Sequence, residues 1–376
     1  VKPDKFAARI TIEIVVAAVG AALVACAVLA NQHWLDRHFL PSWFMPHRWY
    51  VAIESSVRAA VALVGVALVV YVRPRIARVI VAAPGPVFFT VLAVVLALGA
   101  SELVLRRGHL RATEWLAPDE EPRRLPDERL GWTFVPSRTG QAAIGGRTID
   151  YSFDAHGYRV RRVDEPVDLA KPTIVFAGES VMFGEGLTWD ESVPAQVGAM
   201  TGMQSANLAV HGFSNDQAYL RLQAELPRFR QPVAVVSLFM TALFGRNLDD
   251  DRPHLGPGLV WQPAQQHGRV ASLATMLVPF RSDDTVANGI AMTRDVLTAT
   301  VNLARARRAT PLIVVPHFGI EEAAERELRR RMLDETGLPY VWIEIDDSWR
   351  LAWDRHPNAH AAHEIAVAIA GRLQQP

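Results

Sequence analysis

The chain has one cysteine among its 376 residues, and that one, Cys26, stands inside an apolar run. No intrachain disulfide can form, and no thiol-rich metal site can be built. Charge of a prevailing sign is missing too: 39 basic side chains balance 39 acidic ones, so nothing in the composition points to a nucleic-acid partner. There is no internal repeat, and with it no sign of a repeat architecture.

What is present is unevenly spread. Three long apolar segments, Ile14 to Ala30, Val51 to Val72 and Val79 to Leu105, fall in the first hundred or so residues. Each is near or above the roughly 18 to 20 residues that span a bilayer. Glu54 and Arg58 stand four apart on one helix face of the second segment, where they can pair and reach the interface. Trp34, Phe39, Trp43, Phe44, Trp49 and Tyr50 crowd the loop between the first two segments, as in an aromatic belt lying on the bilayer. Lys2, Lys5 and Arg9 precede the first segment, and Arg73, Arg75 and Arg78 lie between the second and third. This bias favours an inside amino terminus, although Arg106, Arg107 and Arg111 weaken it. Three crossings then make a multi-pass cell (inner) membrane protein with its carboxyl-terminal domain outside the cytoplasm. Leu23 to Cys26 match a lipoprotein cleavage box by residue type, but Ala27 to Ala30 continue the apolar run as a membrane helix would.

The expected organisation is therefore a membrane region over residues 1–110, with helices at about 14–30, 51–72 and 79–105. A connector and β-rich lead-in follow over 111–170, with short alternating runs at Gly131 to Val135 and Arg147 to Phe153. The remainder, 171–376, alternates strand and helix patterns. Strands are expected at Thr173 to Phe176, Ser205 to Ala209, Val233 to Met240, Pro311 to Val315 and Tyr340 to Ile345. Helices are expected at Asp190 to Thr201, Asp216 to Arg228, Ala287 to Arg308 and Ile320 to Glu335. Such alternation predicts a three-layer α/β fold with a mostly parallel sheet.

Thr173 to Phe176 reads as a strand buried on both faces, and it stops at Gly178, so Ser180 falls at its carboxyl end, where open α/β sheets bind ligands. The tripeptide alone fits an ordinary turn with a helix-capping serine at least as well. A serine hydroxyl needs a base within hydrogen-bond reach and a third group to orient that base. In WDRHPN, Trp353 to Asn358, Asp354 and His356 lie two apart on a loop after the strand Tyr340 to Ile345, which opens on the same sheet edge. Read alone, they equally suit a capping aspartate and a surface histidine. His360 and His363 follow at i+4 and i+7 without matching acidic or cysteine ligands, a weak basis for a metal site.

Taken in order, these segments resemble the SGNH hydrolase superfamily, the GDSL-type esterases and acyl esterases, from Pro172 to the end of the chain. Gly178, Glu179 and Ser180 are similar to the first block, with Glu for the commoner Asp. Asn207 to Gln217, NLAVHGFSNDQ, is similar to the second, and Asp354, His356, Pro357 and Asn358 to the last. Gly131, Trp132 and the run DAHGYR, Asp154 to Arg159, resemble what precedes the serine block. The third block departs: where a Gly-x-Asn-Asp is expected the chain has Thr241 and Ala242, and Asn247 in GRNLDDDRPH stands nearby as a candidate substitute.

The resemblance implies a flavodoxin-like α/β/α hydrolase domain with Ser180 as nucleophile, His356 as base and Asp354 orienting it. The oxyanion would be held by the N–H groups of Ser180 and Gly212, with Asn247 as a further candidate. It implies no metal and no organic cofactor. The substrate would be an acyl ester on membrane lipid or on cell-envelope glycan. Acyl transfer to a polysaccharide with a membrane acyl-donor partner, and a non-catalytic envelope module, are the rival readings.

Overall fold

The computed structural model describes residues 5–40, 45–108, 120–352 and 355–375. The chain divides into two compact units, one formed by Val1–Leu40, Met45–Leu110 and Gly268–Phe280, the other by the rest.

In the first unit, α1 (Lys5–Leu29), a continuous helical stretch His47–Ala82 and α5 (Pro84–Leu105) are long and apolar enough to cross a membrane. A short helix, α2 (Gln32–His38), follows α1. The middle stretch is α3 (His47–Ala67), a π turn at Leu68–Val72 and α4 (Arg73–Ala82). The second helix thus runs past the expected end at Val72 through Arg73, Arg75 and Arg78. The third starts at Pro84 rather than Val79, because a proline has no N–H with which to continue the preceding helix and is at home in a first turn. α1 and α3 cross at two glycines: a Cβ on Gly20 or on Gly65 would stand 2.6 Å from the other's carbonyl oxygen. Glu54 and Arg58 do not pair, since each finds a nearer partner on another helix. Glu54 accepts from Gln32 Nε2 (2.7 Å) and Arg58 Nε donates to the Ala27 carbonyl (3.0 Å). Trp43 and Phe44 of the expected aromatic belt lie outside the described residues.

A helix from much later in the chain, α9 (Arg269–Leu277), belongs to this unit. Glu102, near the end of α5, caps it by accepting from the N–H groups of Arg269 (2.8 Å) and Val270 (3.0 Å). Beyond it, Phe280 stacks on Trp34 and His38 of α2, with ring centroids 6.0 and 5.2 Å apart. Met276, Leu277, Val278 and Phe280 are exposed.

The second unit is built on an eight-stranded sheet. Its five parallel strands are β6 (Pro172–Ala177), β7 (Gln204–Asn207), β8 (Gln231–Leu238), β11 (Thr310–Phe318) and β12 (Tyr340–Ile345). They lie side by side as β12-β11-β8-β6-β7. In chain order this is the 2-1-3-4-5 arrangement, whose topological switch point falls beside its first strand, β6. The lead-in joins the sheet: β3 (Arg138–Ile144), β4 (Arg147–Phe153) and β5 (Arg159–Val160) extend it antiparallel beyond β7. A separate pair, β1 (Arg124–Asp127) and β2 (Gly131–Phe134), precedes them.

Alternation along the strands builds two apolar layers. Ile174 and Phe176 of β6 pack with Val197 of α7 (Val193–Thr201) and with Ile365 and Ile369 of α12 (Ala359–Leu373). Val175 and Ala177 face the other way, onto Leu222 of α8 (Asn215–Glu225) and Ala304 of α10 (Asp283–Ala306). The result is a three-layer α/β/α domain with a mostly parallel sheet.

Candidate active site

β6 delivers the chain to Ser180, the first residue of a single helical turn, α6 (Ser180–Phe183). The turn ends at Gly184 in the left-handed region (φ +86°), where a Cβ would stand 2.7 Å from Nη1 of Arg159. Arg159 is 1 % exposed and donates to the carbonyls of Phe183 (2.7 Å), Gly184 (2.8 Å) and Leu187 (2.6 Å). Its guanidinium lies over the rings of Tyr151 and Phe183, and the Tyr151 hydroxyl accepts from the N–H of Gly186 (2.8 Å). Burial lowers the Arg159 pKa to about 10, partly offset by Tyr151, Glu185 and Glu191, so the cation persists at neutral pH. The turn behind the serine is thus held by a cation bound to its bare carbonyls.

The last parallel strand supplies the histidine. After β12 the chain folds back on itself: Arg350 bridges Pro357, Leu351 N–H donates to the His356 carbonyl (2.6 Å), and Asn358 N–H to the Trp349 carbonyl (3.0 Å). Asn358 caps α12 by accepting from the N–H groups of His360 and Ala361. This narrow loop holds His356 with Nε2 2.7 Å from Ser180 Oγ. Both residues are buried, Ser180 at 3 % and His356 at 8 % exposure. Asp354 lies outside the described residues. His360 sits edge-on to Trp349 and His363 bonds Gln196, and among the described residues no group of His, Cys, Asp and Glu is arranged to hold a metal ion.

Beside the serine runs the segment after β7. It extends the pairing with β6 by two rungs, Leu208 N–H to the Phe176 carbonyl (2.9 Å) and Val210 N–H to the Gly178 carbonyl (3.2 Å), which brings Gly212 alongside the Ser180 turn. Gly212 has φ +80°, and a Cβ there would stand 3.2 Å from the Trp132 ring. Trp132 Nε1 donates to the His211 carbonyl (3.0 Å). Because the peptide is planar and trans, fixing that carbonyl aims the Gly212 N–H the opposite way. Arg252 holds the next carbonyl, that of Gly212 (2.7 Å). Among the described residues, neither the Ser180 nor the Gly212 N–H has a protein acceptor. Two donors are therefore left open beside the nucleophile, as an oxyanion site requires.

Asn247 is placed differently. Its Oδ1 accepts from Asn215 N–H (3.0 Å), and its Nδ2 donates to Asn215 Oδ1 (3.0 Å) and Thr293 Oγ1 (3.0 Å). Both amide hydrogens are committed, so it has none to offer an oxyanion. Its work is to tie the start of α8 to α10.

Sequence reasoning missed Glu185 and His211. Glu185 Oε2 lies 2.8 Å from His211 Nδ1, and Arg124 Nη1 lies 3.3 Å from the Nε2. The pair joins the turn after Ser180 to the residue preceding Gly212. Burial on its own would raise the Glu185 pKa, but the charge and hydrogen bond of His211, with His356 and Arg159 beyond, bring it from 4.5 to about 2. A carboxylate depressed in the folded state contributes stability that is fully present above pH 4.5 and is lost as pH falls toward 2. Glu185→Gln should remove it and flatten the fall of unfolding free energy between those limits, measured by denaturation at a series of pH values. A slope equal to that of the parent protein would show that the pair carries no acid sensitivity.

No protein-family model matches the sequence, and no curated protein does. Solved structures do. A protein described as lipolytic, of the G-D-S-L family, from Desulfitobacterium hafniense shares 13 % identity, with 54 % of this chain and 98 % of that one covered and a TM-score of 0.33. An acetyl xylan esterase from Butyrivibrio proteoclasticus shares 11 %, covering 56 % and 65 %, TM-score 0.35. A member of the lipolytic G-D-S-L family from Veillonella parvula shares 12 %, covering 53 % and 96 %, TM-score 0.32.

Proposed function

We propose that the protein is a membrane-anchored serine esterase of the SGNH type, cleaving acyl esters of a lipid or an acylated glycan. The observation that carries this reading is the 2.7 Å approach of His356 Nε2 to Ser180 Oγ at the carboxyl edge of the sheet. Ser180 Oγ attacks the ester carbonyl while His356 takes its proton and returns it to the departing alcohol. The N–H groups of Ser180 and Gly212 receive the developing oxyanion. Asp354, two residues before His356, is assigned the orienting role by its position in the chain. Water then releases the acyl group from Ser180 by the same steps.

The extracytoplasmic placement is part of the proposal. One segment, Gly268–Phe280, meets both α2, which follows the first candidate span, and the carboxyl end of α5, the third. Three crossings put those two places on one side of a membrane, opposite Arg73, Arg75 and Arg78. The α/β domain follows the third span in the chain, so an inside amino terminus assigns it to the extracytoplasmic side.

A charged, membrane-impermeant fluorophosphonate tests function and placement together. It should label Ser180 in sealed right-side-out vesicles and leave it unlabelled in inside-out ones. Absence of labelling in solubilised protein would sink the hydrolase assignment. Labelling confined to inside-out vesicles would reverse the orientation alone.

A further inference from the structure

Glu179 is the link between the nucleophile and a cation that the mechanism above leaves unused. Its Oε1 accepts from the Val181 N–H (3.1 Å), while its Oε2 accepts from the Ser180 hydroxyl and from Nη1 of Arg246 (3.3 Å). Ser180 Oγ therefore faces two acceptors, Glu179 and His356, with one proton to give. Arg246 comes from the run Thr241–Leu248 that follows β8, the strand beside β6 at the switch point. Its side chain is 20 % exposed, and the long bond to Glu179 is the one hydrogen bond it makes among the described residues. A guanidinium carries five N–H donors in a fixed plane. Four are left without a protein partner among the described residues, one carboxylate away from the serine, on a side chain that keeps some access to solvent and so to an incoming substrate. The neighbouring asparagines do not compete for the role: Asn247 is committed as described, and Asn215 Nδ2 is turned to the Leu238 carbonyl (3.0 Å).

We propose that Arg246 is the side-chain donor of the oxyanion site, anchored by Glu179 and supplying a charge-assisted N–H to the tetrahedral intermediate formed on Ser180. The proposal rests on the esterase reading above. When Ser180 Oγ bonds to the ester carbon, the C=O π pair moves onto the carbonyl oxygen and the hydroxyl proton passes to His356 Nε2. The new anion accepts from the N–H groups of Ser180 and Gly212 and from Arg246, whose proton stays on the guanidinium. On collapse the C–O bond to the alcohol breaks, the leaving oxygen takes the proton from His356, and Arg246 is left again with Glu179. A cation beside the nucleophile also offsets the repulsion between that oxyanion and the Glu179 carboxylate. A donor bound mainly in the transition state raises kcat and leaves KM nearly untouched.

A double-mutant cycle in the full-length detergent-solubilised protein separates this role from that of a mere counter-ion for Glu179. With an aryl acetate as substrate, Arg246→Gln should lower kcat by about a hundredfold or more, with KM within about threefold. The loss should persist when Glu179→Gln is already present, and modification of Ser180 by a fluorophosphonate should slow in parallel. Unchanged kcat, or a loss that disappears in the Glu179→Gln background, would overturn the proposal. Should Arg246→Gln fail to fold, judged by its thermal transition, Arg246→Lys keeps the charge without the planar donor and should lose about tenfold in kcat; turnover equal to the parent's would overturn the proposal equally. A parent protein that neither turns over the ester nor is modified at Ser180 would remove the esterase reading and this role with it, an outcome distinct from a labelled enzyme indifferent to Arg246.

Discussion

Turnover of an aryl acetate should fall by about 10⁴ or more in Ser180→Ala, by a similar factor in His356→Ala, and by no more than that in the double variant. In the proposed mechanism the serine and the base act as one unit, so removing either forfeits what both supply, and the second substitution has little left to remove. The observation behind this expectation is the 2.7 Å distance from Nε2 of His356 to Ser180 Oγ. Residual rate over water would come from the proposed oxyanion donors, the N–H groups of Ser180 and Gly212 and the Arg246 side chain. Multiplicative losses in the double variant, read from steady-state kinetics, would show that the two side chains act separately and would dissolve the proposed dyad. Neither change should disturb the fold, since each leaves its backbone bonds in place.

Arg159→Met should cost about 3 to 5 kcal/mol of stability, the largest effect expected of a single change away from the reacting atoms. Methionine fills similar space but donates nothing, so the carbonyls of Phe183, Gly184 and Leu187 lose their donor in a buried setting. Each buried group left unsatisfied costs about 1 to 3 kcal/mol, offset in part because a buried cation no longer has to be desolvated. For a domain of this size the thermal transition should drop by about 10 °C. Activity should fall further than stability explains, because the turn that Arg159 holds is the one that presents Ser180. A transition within about 2 °C of the parent's would show that water satisfies those carbonyls and that Arg159 is dispensable.

Much of the architecture is legible in the sequence because apolar periodicity reports burial directly. The last strand, Tyr340–Ile345, coincides with the expected range, and the helix expected from Ala287 to Arg308 differs by a few residues at each end from α10, Asp283–Ala306. Strands also sort themselves by face, as Ile174 and Phe176 against Val175 and Ala177 show. The polar contacts around the site are another matter. Arg159 is legible in the sequence only as the end of DAHGYR, because no pattern marks a cation whose partners are main-chain carbonyls twenty-odd residues on. The one available signal was the pair of glycines after Ser180, which leaves carbonyls with little side-chain cover. Asn247 misled for the converse reason: an amide near a strand end looks available until its partners, Asn215 and Thr293, are seen to come from two other helices. Glu185 and His211 stand twenty-six positions apart, and only the closeness of the two loops at the switch point makes them neighbours.

The excursion of Gly268–Phe280 out of the α/β domain also bears on how that domain can be obtained. Cutting the chain after the third apolar helix does not yield a fragment with an ordinary soluble surface, because Met276, Leu277, Val278 and Phe280 remain on it, and Arg269 and Val270 lose the Glu102 carboxylate that caps their helix. Exposed apolar runs of this kind drive self-association. A short polar link in place of Gly268–Phe280 would remove none of the hydrogen bonds that hold the strands, the serine turn and the histidine loop among the described residues. Crystallisation and binding work on the isolated domain should therefore begin from the shortened loop.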